Sequence, residues 1–116
     1  DISDWDVSSV LDMSYMFAIS EAFNQDISSW DVSNVTDMQA MFTLSQVFNQ
    51  DISSWAVSSV TNMNYMFYDA LSFNVDLSGW DISGVTNMNG VFDGTNLSDE
   101  NKCAVDESFS YASITS

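Results

Sequence analysis

The sequence predicts a repeat solenoid, mainly β, with a short helical turn in each 25-residue coil and a helical cap at its C-terminal end. Three observations predict it. The string Phe23-Asn24-Gln25-Asp26-Ile27-Ser28-Ser29-Trp30 returns as Phe48-Asn49-Gln50-Asp51-Ile52-Ser53-Ser54-Trp55 and again as Phe73-Asn74-Val75-Asp76-Leu77-Ser78-Gly79-Trp80, 25 residues apart each time. A fixed period in this range marks one supersecondary unit stacking on the next. The large apolar residues fall into columns at that period. The period then fails after Phe92, where a capped helical pattern begins.

The repeats start near Asp1, Asp26, Asp51 and Asp76, and residues 1–95 form the four-coil body. Trp5, Trp30, Trp55 and Trp80 align, as do Ile2, Ile27, Ile52 and Leu77. Val7, Val32, Val57 and Ile82 make a third column, and Val10, Val35, Val60 and Val85 a fourth. Two further columns hold all seven methionines, and two more hold every phenylalanine but Phe109. Like side chains stacked coil on coil read as one continuous core.

Within a coil, Asp26-Ile27-Ser28-Ser29-Trp30 and Val35-Thr36-Asp37-Met38 are short, β-branched or aromatic, and bounded by turn residues, so each reads as a short strand. Met38, Met41 and Phe42 lie three and four apart, which reads as a helical turn capped by Asp37. There is no proline, so any strand position can join a ladder. The expected advance per coil is about 4.8 Å. Residues 96–116 form the cap and tail. Ser98 is placed as an N-cap, Asp99 and Glu100 suit the positive helix end, and Cys103, Val105 and Phe109 are expected to face inward.

Composition excludes several classes of function. The chain has 116 residues and a net charge of −16, with Lys102 its only basic residue. Phosphate backbones and anionic bilayers are engaged through Lys and Arg, so neither nucleic acid nor an anionic membrane surface is a partner. No apolar run is long enough to insert in a membrane. With 46% hydrophobic residues this is not a disordered acidic tail. A single cysteine forms no internal disulfide. The chain lacks histidine and arginine, and its carboxylates recur in every coil as scaffolding does, so an enzyme is not expected.

The string F-N-Q-D-I-S-S-W-D-V-S-N-V-T-D-M-x-x-M-F, from Phe23 to Phe42, resembles the bacterial surface-protein repeat of about 25 residues found in mycoplasma and Listeria lipoproteins, itself similar to the BspA-like branch of leucine-rich repeats. Thr95-Asn96-Leu97-Ser98-Asp99-Glu100-Asn101-Lys102 is similar to the segment that closes such arrays. The resemblance implies a leucine-rich-repeat-like solenoid, exported to the cell surface or beyond, adhesive or structural, without catalytic residues or a cofactor.

Four sets of residues are candidates for chemistry. Asp26, Asp51 and Asp76 form a carboxylate ladder. It reads either as a row of Asx turns or as a Ca2+ site, since Ca2+ takes several carboxylate oxygens. A neighbouring column, in which Asp12 and Asp37 become Asn62 and Asn87, favours the turn reading, because Asn keeps the acceptor and drops the charge. Asn24, Asn49 and Asn74 read as a buried amide ladder bonding the next coil, with sugar binding as the other reading. Thr36, Thr61 and Thr86 are expected to point outward. Asn34 and Asn96 fit the N-linked glycan acceptor pattern.

The chain opens inside a repeat, which reads as a piece of a larger precursor, with Ile2, Trp5 and Val7 on an uncovered coil. Three things could cover them: neighbouring repeats of a longer array, a removed N-terminal cap, or another subunit. In the last case Tyr111 and Ile114 of the tail pair with the next subunit's first strand, and head-to-tail filaments follow. The expected function is therefore an extracellular structural and adhesive repeat module that self-associates or packs on neighbouring repeats. The alternative is a binding module for glycans, or one dependent on Ca2+.

Overall fold

In the computed structural model, which describes residues 1–109, residues of equal repeat position lie one above another. Phe17, Phe42, Phe67 and Phe92 stack with ring centroids 5.7, 5.5 and 5.7 Å apart. Phe23, Phe48 and Phe73 stack beside them at 5.8 and 6.1 Å. Inside each coil the two columns meet, at 3.9 Å for Phe17–Phe23 and 4.2 Å for both Phe42–Phe48 and Phe67–Phe73. The Ile, Val, Met and Trp columns of coils two to four close the rest of one core. Fully burying one such side chain contributes about 1.5–3 kcal/mol, so the columns carry the fold.

The mainly-β solenoid is not what these residues build. Among the described residues the only β pairing is a set of isolated parallel bridges, Asp12 to Asp37, Asp37 to Asn62 and Asn62 to Asn87. The only helix is α1, Asp99–Phe109. The remainder is turns and bends in a compact body of 34 × 26 × 20 Å. Its radius of gyration, 12.9 Å, is that of a globule of this length.

The backbone explains why neither strand nor helix forms. The N–H groups of Met13, Tyr15, Phe17 and Ile19 donate to the carbonyls of Asp37, Gln39, Met41 and Thr43 at 2.8–2.9 Å. Coil two repeats this from Met38, Ala40, Phe42 and Leu44, and coil three from Met63, Tyr65, Phe67 and Asp69. Every second peptide group on this arc thus stands along the stack, N–H toward the C-terminal end. Groups between them close tight turns inside the coil, such as Met16 N–H to the Met13 carbonyl. A strand would send successive peptide groups to opposite sides. Here all the axial groups point one way, and residues in the left-handed region reset the chain. Tyr15, Ala40, Tyr65 and Gly90 have φ of 60°, 53°, 57° and 61°, and Ile19, Leu44, Asp69 and Gly94 have 58°, 56°, 53° and 78°. One left-handed residue every fourth position also forbids the expected helical turn over Asp37 to Phe42.

The Tyr15–Ala40–Tyr65–Gly90 column alternates large and small. A Cβ placed on Gly90 would lie 2.8 Å from two atoms of the Tyr65 ring, so that ring lies over the small residue of the next coil.

Just before this arc the bonds run the other way. Thr36, Thr61 and Thr86 donate both N–H and hydroxyl to the carbonyl of residue 11, 36 or 61 in the preceding coil, at 2.8–2.9 and 3.2 Å. The indole Nε1–H of Trp30, Trp55 and Trp80 donates to the Ile2, Ile27 and Ile52 carbonyls at 3.0–3.1 Å.

Helix α1 packs Val105 and Phe109 into the core, with the Phe109 ring 5.8 Å from Phe92. Ser98 caps it, as expected, by accepting the Asn101 N–H on its hydroxyl at 3.2 Å. Cys103 is exposed, contrary to expectation. Two residues before Val105, it lies about 200° round the helix from the inward stripe.

One buried group stands out. The Ser45 side chain is fully buried and its hydroxyl has no hydrogen-bond partner. Ala70, fully buried, fills the equivalent place in coil three. Ser45→Ala is therefore expected to raise stability by about 1 kcal/mol, since it removes an unpaired buried hydroxyl at nearly constant volume. A denaturant titration checks it, and a lower midpoint would mean the hydroxyl has a partner in solution.

Candidate functional site

The carboxylate ladder lies on the surface. Asp26, Asp51 and Asp76 are exposed. One oxygen of each accepts the N–H of the serine two residues on, Ser28, Ser53 or Ser78, at 2.9–3.0 Å. Asp6, Asp31 and Asp81 do the same with Ser8, Ser33 and Ser83. The serine hydroxyls of five of these six pairs add a second donor at 2.5–2.7 Å. These are Asx turns. Asn62 makes the same bond, to the Asn64 N–H at 3.0 Å, so an amide oxygen serves as well as a carboxylate. Among the described residues, no three Asp, Glu, His or Cys side chains are grouped so as to hold a metal ion.

These bonds hold the carboxylates below their ordinary pKa. For Asp6, Asp26, Asp31, Asp51 and Asp81 the serine hydroxyl is the larger cause and the serine N–H the next; for Asp76 the order reverses. A folded-state pKa below the unfolded value of about 3.9 gives stability that is complete above that value and lost as pH falls through the folded one. The melting temperature is therefore expected to hold from neutral pH to about 5 and to drop below about 4. A Tm that instead rises steadily down to pH 3 would show that relief of the repulsion within a −16 chain dominates.

The amide ladder forms but is not buried. The side-chain oxygens of Asn24 and Asn49 accept the Asn49 and Asn74 N–H at 2.9 and 2.8 Å. Asn74 passes the pattern to the cap, accepting the Ser98 N–H and the Asn101 amide at 2.8 Å. Asn24 and Asn49 are exposed and Asn74 is half-buried, because the ladder runs along the edge of the stack. The glycan-acceptor residues Asn34 and Asn96 are both exposed, and the Asn34 amide donates to the Ser8 carbonyl at 2.7 Å.

The expected assembly residues divide. Trp5 is 56% exposed, Ile2 is half-buried and Val7 is buried. Tyr111 and Ile114 lie outside the described residues.

A feature that sequence reasoning missed lies on the arc equivalent to residues 15–22 of the first coil. Tyr15, Ile19, Leu44, Tyr65 and Leu71 are all exposed there. Tyr65 and Tyr68 meet edge to face at 5.7 Å. The signal available in the sequence was that these positions change character from coil to coil, whereas the core columns keep theirs.

A body of four stacked 25-residue turns, closed by one helix, defines a tandem-repeat protein. The chain belongs to the family described as Mycoplasma protein of unknown function, DUF285, which matches residues 1–104. No curated protein and no solved structure matches it.

Proposed function

We propose that this chain is a non-catalytic structural and adhesive repeat module of a protein on the outside of the cell. The observation that carries the reading is the exposed apolar arc of Ile19, Leu44, Tyr65, Tyr68 and Leu71 on an otherwise acidic surface. Large apolar residues left exposed on one arc mark an interaction site. Membership of a Mycoplasma repeat family supports it at the level of the family. Within the same reading, the face carrying Ile2 and Trp5 packs on a further coil, of the same chain or of another copy; in the second case the copies line up head to tail.

The glycan alternative has one observation in its favour. The Tyr65–Tyr68 pair offers aromatic faces to a sugar ring beside the Asp69 carboxylate.

Two measurements test the reading. Antibodies against the chain are expected to label intact cells of its source, and labelling only after permeabilisation would overturn the surface assignment. Beads coated with the protein are expected to adhere to cells or matrix, and a Tyr65→Ser, Leu71→Ser double variant to lose adhesion. Undiminished adhesion would remove the arc from the reading.

A further inference from the structure

Each column of axial peptide groups is a hydrogen-bonded chain. Met13 N–H donates to the Asp37 carbonyl, Met38 N–H to Asn62 and Met63 N–H to Asn87. Such chains polarise one another, and aligned peptide dipoles leave positive partial charge at the N–H end, as at a helix N-terminus. Four chains run side by side and all end on the fourth coil, at the N–H groups of Met88, Gly90, Phe92 and Gly94. Those four donors have no hydrogen-bond partner among the described residues. Met88, Gly90 and Phe92 border a cleft of about 220 Å³ between the fourth coil and α1, lined also by Val105, Asp106 and Phe109 among others.

We propose that this end of the fourth coil docks a segment of a second protein in which basic and apolar residues alternate. Three features select that occupant. The donors come from alternate residues and all face one way, so they match a segment that presents carbonyls at alternate residues, as Asp37, Gln39, Met41 and Thr43 present theirs to the coil before them; this is edge pairing by main-chain hydrogen bonds. The cleft is apolar at Met88, Phe92, Val105 and Phe109, and its volume suits an aliphatic side chain. Its rim carries Asp93 and Asp106 on a chain of net charge −16, which favours lysine or arginine in the ligand and disfavours an acidic one. Another copy of this chain offers one lysine in its whole length and fits the rim poorly.

The test uses the full chain, 15N-labelled, titrated with an acetylated, amidated octapeptide of alternating Lys and Leu. The amide resonances of Met88, Gly90, Phe92 and Gly94 are expected to move downfield together and saturate, and their hydrogen exchange to slow. The Asp106→Lys variant, changed at an exposed position, is expected to fold normally and bind about two- to fivefold more weakly. The proposal is overturned if those four resonances do not move at millimolar peptide. It is equally overturned if an Asp-Leu octapeptide moves them as far, if shifts spread evenly over every Asp column as for a bare cation, or if the four amides are already protected by a dimer that the peptide leaves intact.

Discussion

Phe67→Ala is expected to lower the stability of this chain by about 3–5 kcal/mol, the range for deleting a buried phenylalanine ring. The ring is fully buried and is the junction of the core. It stacks on Phe42 at 5.5 Å and Phe92 at 5.7 Å along its column, meets Phe73 at 4.2 Å across the coil, and lies 6.3 Å from Trp80. Truncation removes four aromatic contacts at once and leaves a void that stiff, hydrogen-bonded coils cannot collapse to fill. At about 4 °C per kcal/mol the melting temperature falls by roughly 12–20 °C. Domains of this size hold about 5–15 kcal/mol in all, so the loss is a large share of the total. Phe17→Ala removes a half-buried ring of the first coil and is expected to cost less. Thermal melts of the two variants check the order. Equal losses would mean that the Phe columns do not act as one core in solution.

That core was legible in the sequence, because a register-locked column of Phe or Met leaves few alternatives to stacking. The columns named from the repeat are buried in coils two to four, Phe92 in part, and Ser98 and Phe109 do what their positions predicted. The path of the backbone between the columns was not legible. Val35-Thr36-Asp37-Met38 has the composition of a strand, and Met38, Met41 and Phe42 have the spacing of a helix. Both signals report which side chains turn inward, and a run of tight turns delivers the same inward set with a different backbone. The turns depend on left-handed residues, and these announce themselves only in the fourth coil, where both are glycine. In the other coils tyrosine, alanine, isoleucine, leucine and aspartate hold those places, so no local preference marks them. The same masking hid the apolar arc, since nothing in the local sequence marks the outward, left-handed setting of Tyr15, Ile19, Leu44 and Tyr65. The Asp columns were legible as turns from the exchange of Asp12 and Asp37 for Asn62. The second bond to each carboxylate, from the serine hydroxyl, was not foreseen.

The left-handed column gives the second large effect, and its sign depends on the coil. Gly94→Ala puts a Cβ on Asp69 Oδ1 and within 3.1 Å of the Asp69 Cα, at a φ of 78°. The left-handed setting costs an L-residue about 1–2 kcal/mol and the overpacking about 1–3. The expected loss is about 2–5 kcal/mol, or roughly 8–20 °C in Tm. Backbone is part of the obstruction, so the neighbour cannot simply rotate away. Ile19 occupies the equivalent place in the first coil, with φ 58° and 70% exposure. A β-branched residue there bears the left-handed cost without packing in return. Ile19→Gly removes that cost and adds about 0.5–1 kcal/mol of unfolded-state entropy, so it is expected to stabilise by up to about 1 kcal/mol. Removing glycine at one end of the column and introducing it at the other thus have opposite signs, and both favour glycine. Melting curves of the pair decide it. If Ile19→Gly destabilises as strongly as Gly94→Ala, the first coil does not hold its turn in the left-handed region, and the axial alignment of its peptide groups fails with it.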